Sequence, residues 1–568
     1  MGLFGKSDRD PAFPGFFERL RIAISPDYLV KREHARYLAQ MIDIESKRAA
    51  FKAAETNRLN ENWLATGESI NTFLKRELST MRNRSRWLMR NTPTAISAMN
   101  AFISYCVGTG IKPISTVYDK IPTKDQDGKD YFEQVDNEIF NEQNDDLWDE
   151  WQRNVDISGT DTSPVSFTDV EELVLRKVIE DGEAFVLAKP DKRNPVVPLY
   201  VQFFEPETLD DNKTEGNNGN PVTMGVELNK ITSRPVGYWV NVSVTENGVT
   251  KTKSVRYDAR FVFHVFKRMR PGQVRGYPWM HGVMEKFFQL DGYEDAELTA
   301  CKIAACFSVW FERKKGVNST GDILPGDSTG SQAEDSDGNK ISHIQPGIIG
   351  SFPYGSQPHF AQPQKPGATF GMFTEHVDRK IGAGIENGLS YEALTRNTSK
   401  ASYAGGRLAT QRDYQAFRQI IKFMTDHFCM PFRHMWQDMA VTSGAIEAKG
   451  YYDIVGTRTA KYYRRHEWIP PAWQYGVNPK DDVSASRDAM RAGMSTLDME
   501  CQFIGRDWRS ILRSKKKVQD AAERLGLVLT SDASISITNG VQESRDTEST
   551  DEQEQETAGA AALEGAST

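Results

Sequence analysis

Between residues 279 and 385 the chain changes character twice, and this limits its architecture more than any motif does. Trp279 to Phe307 contains no proline and sets Val283, Phe287, Leu290, Tyr293 and Leu298 at spacings of three to five, with Asp291, Glu294, Asp295 and Glu297 on a polar face. That spacing predicts a helix. Residues 312–367 are instead rich in Gly, Ser, Asp and Pro, including Pro346, Pro353, Pro358, Pro363 and Pro366. A helix cannot run through them, although a short strand at Gly347–Gly350 fits. The helical pattern then returns from about Phe370 to Ile385.

Upstream, helix signals strengthen from Glu61. Pro93 predicts a break between two helices after Asn91, and Gly108-Thr109-Gly110 ends the second. Thr168–Glu180 predicts an amphipathic helix running into Asp181-Gly182. Short β-branched and aromatic runs follow at Glu183–Ala188, Val197–Phe204, Gly225–Leu228, Val236–Val244 and Phe261–Phe266, separated by Gly, Asn and Pro clusters. They predict a mostly antiparallel β region of about 100 residues.

Downstream, a polar loop spans Glu386–Gly406. A long helix follows, roughly Arg407–Val441, with Phe417, Ile421, Met424, Phe428, Met435 and Met439 in phase and a kink expected at Pro431. Residues 476–530 read as further helices, one of them capped at Asn478-Pro479. The fold class is therefore α+β. Residues 541–568 hold eight carboxylates against Arg545, a net charge of −7, leaving the rest of the chain near −1 of a total −8. Such an acidic, Ala/Gly/Thr-rich tail cannot bury a core and is expected to be disordered.

With 568 residues and 39% hydrophobic residues, the chain can build several cores. The charge balance excludes a simple basic nucleic-acid binder, though not local basic surfaces. The longest apolar run, Ile303 to Phe311, is far short of the ~20 residues of a spanning helix, so no membrane partner is expected. The N-terminus lacks the apolar stretch of a secretory signal, and Lys6 breaks the myristoylation pattern. Five scattered cysteines suit a reducing compartment and buried thiols.

Catalytic signatures are weak. Gly326-Asp327-Ser328-Thr329-Gly330 matches G-x-S-x-G, but it lies in a loop-like stretch without the strand and helix that expose a nucleophile. In Gly316–Ile323, Asp322 stands where a phosphate-binding Lys belongs. His466-Glu467 lacks a second His, and Cys301 with Cys306 has no partner pair, so no metal or cofactor is expected. Asp181 and Glu183 are the one conceivable metal-binding pair, although a helix-to-strand turn explains Asp-Gly equally well. Hydrolysis at Ser328 or nuclease chemistry at Asp181 and Glu183 is thus the enzymatic alternative. Two basic groups invite a polyanion. Arg82, Arg86 and Arg90 share a helix face beside Trp87, suited to phosphate, to solvent or to an intersubunit ion-pair surface. Arg396, Lys400 and Arg407 occupy the polar loop and its end.

The order of several stretches resembles the bacteriophage portal proteins of the lambda type. These stretches are Arg86–Ile111 (RWLMRNTPTAISAMNAFISYCVGTGI), Asp181–Phe185 (DGEAF), Phe203–Leu209 (FFEPETL), Gly225–Trp239 (GVELNKITSRPVGYW), Arg270–Tyr277 (RPGQVRGY), Asp291–Ala305 (DGYEDAELTACKIAA), Gly388–Arg407 (GLSYEALTRNTSKASYAGGR), Asn478-Pro479 and a terminal helix ending Arg524-Leu525-Gly526-Leu527. Two departures are Ala404-Gly405-Gly406, in place of a Ser-rich step, and Arg396-Asn397, where an acidic residue is common.

The resemblance implies a non-enzymatic homo-oligomer, a dodecamer in the virion, ringed at one capsid vertex as the channel for packaging and ejecting double-stranded DNA. Its parts would be an N-terminal arm (1–60), a helical and β wing (61–278), a first stem helix (279–307), a clip (308–367), a second stem helix (368–385), a tunnel loop (386–406), a long kinked helix (407–441), a helical crown (442–530) and an acidic tail (531–568). The implied partners are the terminase large subunit, the major capsid and scaffold proteins, and head-completion or adaptor proteins. The implied location is the portal vertex of the virion, with assembly in the bacterial host cytoplasm. On this scheme Asp291, Glu294, Asp295 and Glu297 line the channel, and Arg396, Lys400 and Arg407 touch DNA phosphates.

Overall fold

The computed structural model describes residues 67–124, 130–160, 162–194, 196–246, 249–312, 348–352, 367, 369–452, 462–472 and 478–527, with His34 and Tyr37. The chain divides into two units, Met1–Ser69 and Ile70–Thr568, and every named element belongs to the second. Ser328, most of 308–367, the tail 531–568 and nearly all of the arm 1–60 lie outside the described residues.

Helix α1 (Ile70–Asn91) and helix α2 (Pro93–Cys106) meet at Pro93, which starts α2 where a missing N–H costs nothing. Three strands, β1 (Lys112–Ser115), β2 (Tyr118–Lys124) and β3 (Asp130–Asp136), lead to α3 (Glu138–Trp151). Helix α4 (Phe167–Glu180) begins at a capping box in which Ser166 and Asp169 satisfy each other's backbone N–H groups. Its buried stripe, Phe167, Val170, Val174, Leu175 and Val178, keeps helical spacing. The chain turns at Gly182 (φ +89°), where a Cβ would collide with the Tyr277 backbone.

Strand β4 (Glu183–Pro190) is buried over its first six residues, as the middle strand of an antiparallel sheet with β5 (Leu199–Phe204) and β10 (Val262–Phe266). A second antiparallel sheet joins β6 (Val222–Thr223), β7 (Val226–Leu228), β8 (Pro235–Glu246) and β9 (Val249–Asp258). The antiparallel β region is thus present, with β6 and β9 as additional strands.

Helix α5 (Met284–Cys306) runs into β11 (Phe307–Glu312), which pairs in parallel with β12 (Ile348–Phe352), and helix α6 (Phe370–Gly384) follows. The segment read as a loop contains a short helix, α7 (Tyr391–Thr395). The long helix α8 (Tyr403–Met424) starts one turn earlier than expected, because the Ser402 hydroxyl accepts the Gly405 N–H and caps it. The kink expected at Pro431 takes the form of a π-helical turn, Thr425–Cys429, ahead of α9 (Met430–Ser443). Proline has no N–H and its ring crowds the carbonyl four residues back, so the wider turn accommodates it.

This π-turn crosses the main core. Phe428, Phe432 and Trp436 pack with Trp148, Trp151 and Phe167, and all six are at most 2% exposed. Residues 442–452 and 462–472 join the same core through Ile446, Tyr463 and Trp468. Strand β13 (His466–Ile469) pairs antiparallel with β1, so this stretch is not simply part of a helical crown. Helices α10 (Pro479–Arg491), α11 (Leu497–Phe503) and α12 (Trp508–Arg524) complete the described chain.

Candidate functional site

Two charged regions hold the residues singled out in the sequence. The first is sealed inside the β region. Arg82 falls in phase with the buried Leu74, Leu78, Ser85 and Leu88 of α1, so it points inward, and it pairs with Glu183. Arg275 Nε donates to Glu183 Oε1 at 2.8 Å, the Gly276 N–H donates to Oε2 at 2.8 Å, and His264 Nε2 lies 2.9 Å from Oε2. Burial alone would raise the Glu183 pKa, but Arg275 and Arg82 outweigh it and hold the carboxyl well below its usual range. Burial lowers the pKa of His264, against the opposing pull of Glu183.

One turn along α1, Arg86 grips Asp181 through two bonds of 2.6 and 2.7 Å and reaches Glu205 and Glu207 at 2.9 Å. Arg275 also donates to the Met224 carbonyl at 2.6 Å and the Pro206 carbonyl at 3.0 Å. Four sequence stretches, around 82–86, 181–183, 205–207 and 275–276, therefore meet in one network. It overturns the reading of the arginine face and favours the helix-to-strand turn at Asp181-Gly182 over the metal-pair alternative. Arg82 and Arg86 form neither a phosphate-binding nor a solvated face, because their partners lie in the same chain, whereas Arg90, one turn further on, is exposed. Asp181 and Glu183 are not a nuclease pair, because both carboxylates are already occupied by cations. The phase of Arg82 with Leu74 and Leu78 was the signal available in the sequence.

The second region is the α5–α6 pair with its following loop. Both helices root in the main core: the Trp279 N–H donates to the Ile179 carbonyl, and the Glu386 N–H donates to the Trp279 carbonyl. Phe287, Leu290 and Ile381 are buried at this end, and Tyr293 meets Phe370 and Phe373 further along. Beyond the root, Glu294 and Asp295 are exposed and Asp291 is half-buried. Glu294, though exposed, is partly desolvated, which raises its pKa, and Asp378 of α6 with Asp291 and Asp295 raises it further. Burial, then Asp295, raises Asp291, and burial raises Asp378. Asp378 thus joins an acidic group spanning both helices, whereas Glu375 of the same helix is taken up by Lys400 and Arg379. Glu297 departs from expectation. It is 5% exposed and accepts the Gly367 N–H at 3.2 Å, on the buried side of α5.

The cationic candidates are also spread apart. Lys400 Nζ lies 2.6 Å from Glu375 Oε2 of α6, and Arg379 holds the other oxygen at 2.7 Å. The hydrogen bond from Lys400 lowers the Glu375 pKa. Arg407 is inside α8 and pairs with Asp482 of α10 at 3.2 Å. Arg396 caps α7 in the left-handed conformation (φ +56°), exposed and with no ion pair among the described residues. Ser390 anchors the start of α7, its hydroxyl donating to Asp413 Oδ2 at 2.6 Å. Cys301, expected in a core, is only half-buried.

The sequence profile of phage portal proteins of the lambda family matches residues 56–420. The chain belongs to the lambda family of phage portal proteins. The probable portal protein of Halomonas phage phiHAP-1 is 24% identical over 458 residues, 79% of this chain and 81% of that one. Portal protein B of Escherichia phage lambda is 22% identical over 404 residues, 65% of this chain and 72% of its own. Among solved structures, a chain in the neck of a native gene transfer agent particle, computed with C12 symmetry, aligns with 76% of this chain and 94% of its own length at 11% identity and a TM-score of 0.37. The chain's role is that of a portal protein, structural rather than enzymatic, in virion assembly and genome packaging.

Proposed function

We propose that copies of this chain close into a ring of about twelve at one capsid vertex of the virion, with α5 and α6 as its stem and double-stranded DNA as its passenger. The observation that carries this is the pairing, on those two helices, of exposed apolar side chains with un-neutralised carboxylates. Phe288, Leu298, Met372 and Phe373 are each at least half exposed, and the acidic group Asp291, Glu294, Asp295 and Asp378 forms no ion pair among the described residues. Apolar side chains on neighbouring helices call for covering surface, which adjacent copies supply in a heterologous ring.

The carboxylates then face the lumen. Duplex DNA binds tightly wherever cations displace its counterions, so an acidic wall keeps a moving duplex from sticking. Cations of the loop 386–406 hold it lightly at the phosphates: Arg396 directly, and Lys400 by exchanging Glu375 for phosphate. Arg407, paired with Asp482, contributes less. The segment 308–367 serves as the clip where the terminase large subunit and later the head-completion proteins dock. The wing meets scaffold and major capsid protein during assembly in the host cytoplasm.

The test is Arg396→Ala with Lys400→Ala, assayed for ring formation and for DNA retained per particle. The expected outcome is an intact ring with less retained DNA. Unchanged packaging contradicts the assigned contacts.

A further inference from the structure

Helix α12 changes its surroundings halfway along. In its first turns Arg509 pairs with Asp136 at 3.0 Å and Arg513 with Glu142 at 3.1 Å, so the basic side leans on acidic residues of β3 and α3. The acidic partners from β3 and α3 then stop while the cations continue, leaving Asp520 and Glu523 as the carboxylates of the helix's own second half. Lys515, Lys516 and Lys517 are exposed and form no ion pair among the described residues. Each successive residue is turned by about 100° around the axis, so the three cations wrap the open side of the helix. Exposed apolar groups flank them: Leu512 at 44%, Val518 at 52% and Leu525 at 73%.

The exit of the chain fits an occupant already attached. Gly526 takes φ +68°, with its N–H on the Glu523 carbonyl at 3.1 Å and the Leu527 N–H on the Ala522 carbonyl at 2.9 Å. This closure turns a chain out of its helix direction. Residues 528–540 can span roughly 40 Å when extended, whereas Lys517 lies only about 15 Å back along the axis from Leu527. The C-terminal residues 541–568 carry eight carboxylates against Arg545, and 528–541 supplies Val528, Leu529, Ile535, Ile537 and Val541 for the apolar flank.

We propose that the acidic C-terminal segment docks on the basic half of α12 of its own chain, closing that surface to other polyanions. The contact is electrostatic, so it weakens with salt. It is independent of the channel assignment.

The test uses the full-length assembly. Carbodiimide cross-linking with mass spectrometry reads tail-to-lysine contacts directly. Affinity for a short DNA duplex is measured at ~50 and ~300 mM salt for the wild type, for a tail variant (E543Q/E548Q/E552Q/E554Q/E556Q), and for that variant combined with K515E/K516E/K517E. Expected are cross-links from Lys515–Lys517 to residues 543–556, and an affinity gain of about tenfold on tail neutralisation at low salt. That gain should vanish at high salt or when the lysines are reversed. Absent cross-links, unchanged duplex affinity, or a gain that survives lysine reversal each overturns the proposal, the last by showing a net-charge effect elsewhere.

Discussion

Glu183 and Glu294 are both carboxylates in a helix-rich frame, and the chain treats them in opposite ways. Around Glu183 two arginines, a histidine and a backbone N–H converge, and its pKa falls. Around Glu294, partial desolvation raises the pKa first, and the neighbours Asp378, Asp291 and Asp295 raise it further. The first arrangement is complete within one chain and holds α1, β4 and the 270–277 segment together. The second has no cation among the described residues, and the proposed ring assigns it to the lumen.

The largest expected effect comes from breaking the matched region. Arg275→Met leaves Glu183 buried and short of a cation, and removing one partner of a buried pair costs about 3–5 kcal/mol. Chemical denaturation should show that loss, and little loss would mean the network is not a keystone.

Next is a buried carboxyl that belongs to neither pattern. Glu171 has no cation among the described residues; it accepts the Ile111 N–H at 3.1 Å and the Cys429 thiol at 3.4 Å, and burial pushes its pKa up to about 8. A raised folded-state pKa means the folded chain keeps a proton that the unfolded chain has released, so stability falls as pH rises from about 4.5 to about 8. Glu171→Gln should flatten that decline, by an amount on the order of a few kcal/mol across the window. A decline of the same slope in the variant would assign it to other groups.

Smaller effects are expected from the unmatched region. Glu294→Gln with Asp378→Asn should leave stability within roughly 1 kcal/mol, since removing like charges costs the fold little. It should nonetheless slow DNA passage and raise DNA retained on isolated rings. Unfolding of that double variant would erase the contrast between the two regions. Smallest of all, Lys400→Ala should leave the thermal midpoint unchanged, because its pairing with Glu375 is solvent-exposed.

Legibility in the sequence followed the same division. Helices with a continuous apolar stripe, such as α4, could be read from spacing, and so could the buried run Glu183–Ala188 after its Asp-Gly turn. Strand β9 could not, because lysines and threonines alternate along it and resemble a polar loop. Helix α7 and the early start of α8 were hidden by Gly405-Gly406 and by serines whose capping role depends on the local fold. The pairing of β1 with β13 joins residues some 350 positions apart, a separation no local pattern encodes. At the candidate site, the acidic residues of α5 were visible, but the burial of Glu297 and the contribution of Asp378 arise from helix packing. Arg82 and Arg86 were visible as a face, and only the fold supplied their partners.

The central claim is that the α5–α6 surface is completed by neighbouring copies around a duplex-sized channel. The most direct measurement is the mass and symmetry of the purified assembly. The expected result is a closed ring of about twelve copies, with α5 and α6 around a lumen wide enough for duplex DNA. A monomer or dimer at every concentration, and in the presence of the capsid proteins, would contradict it.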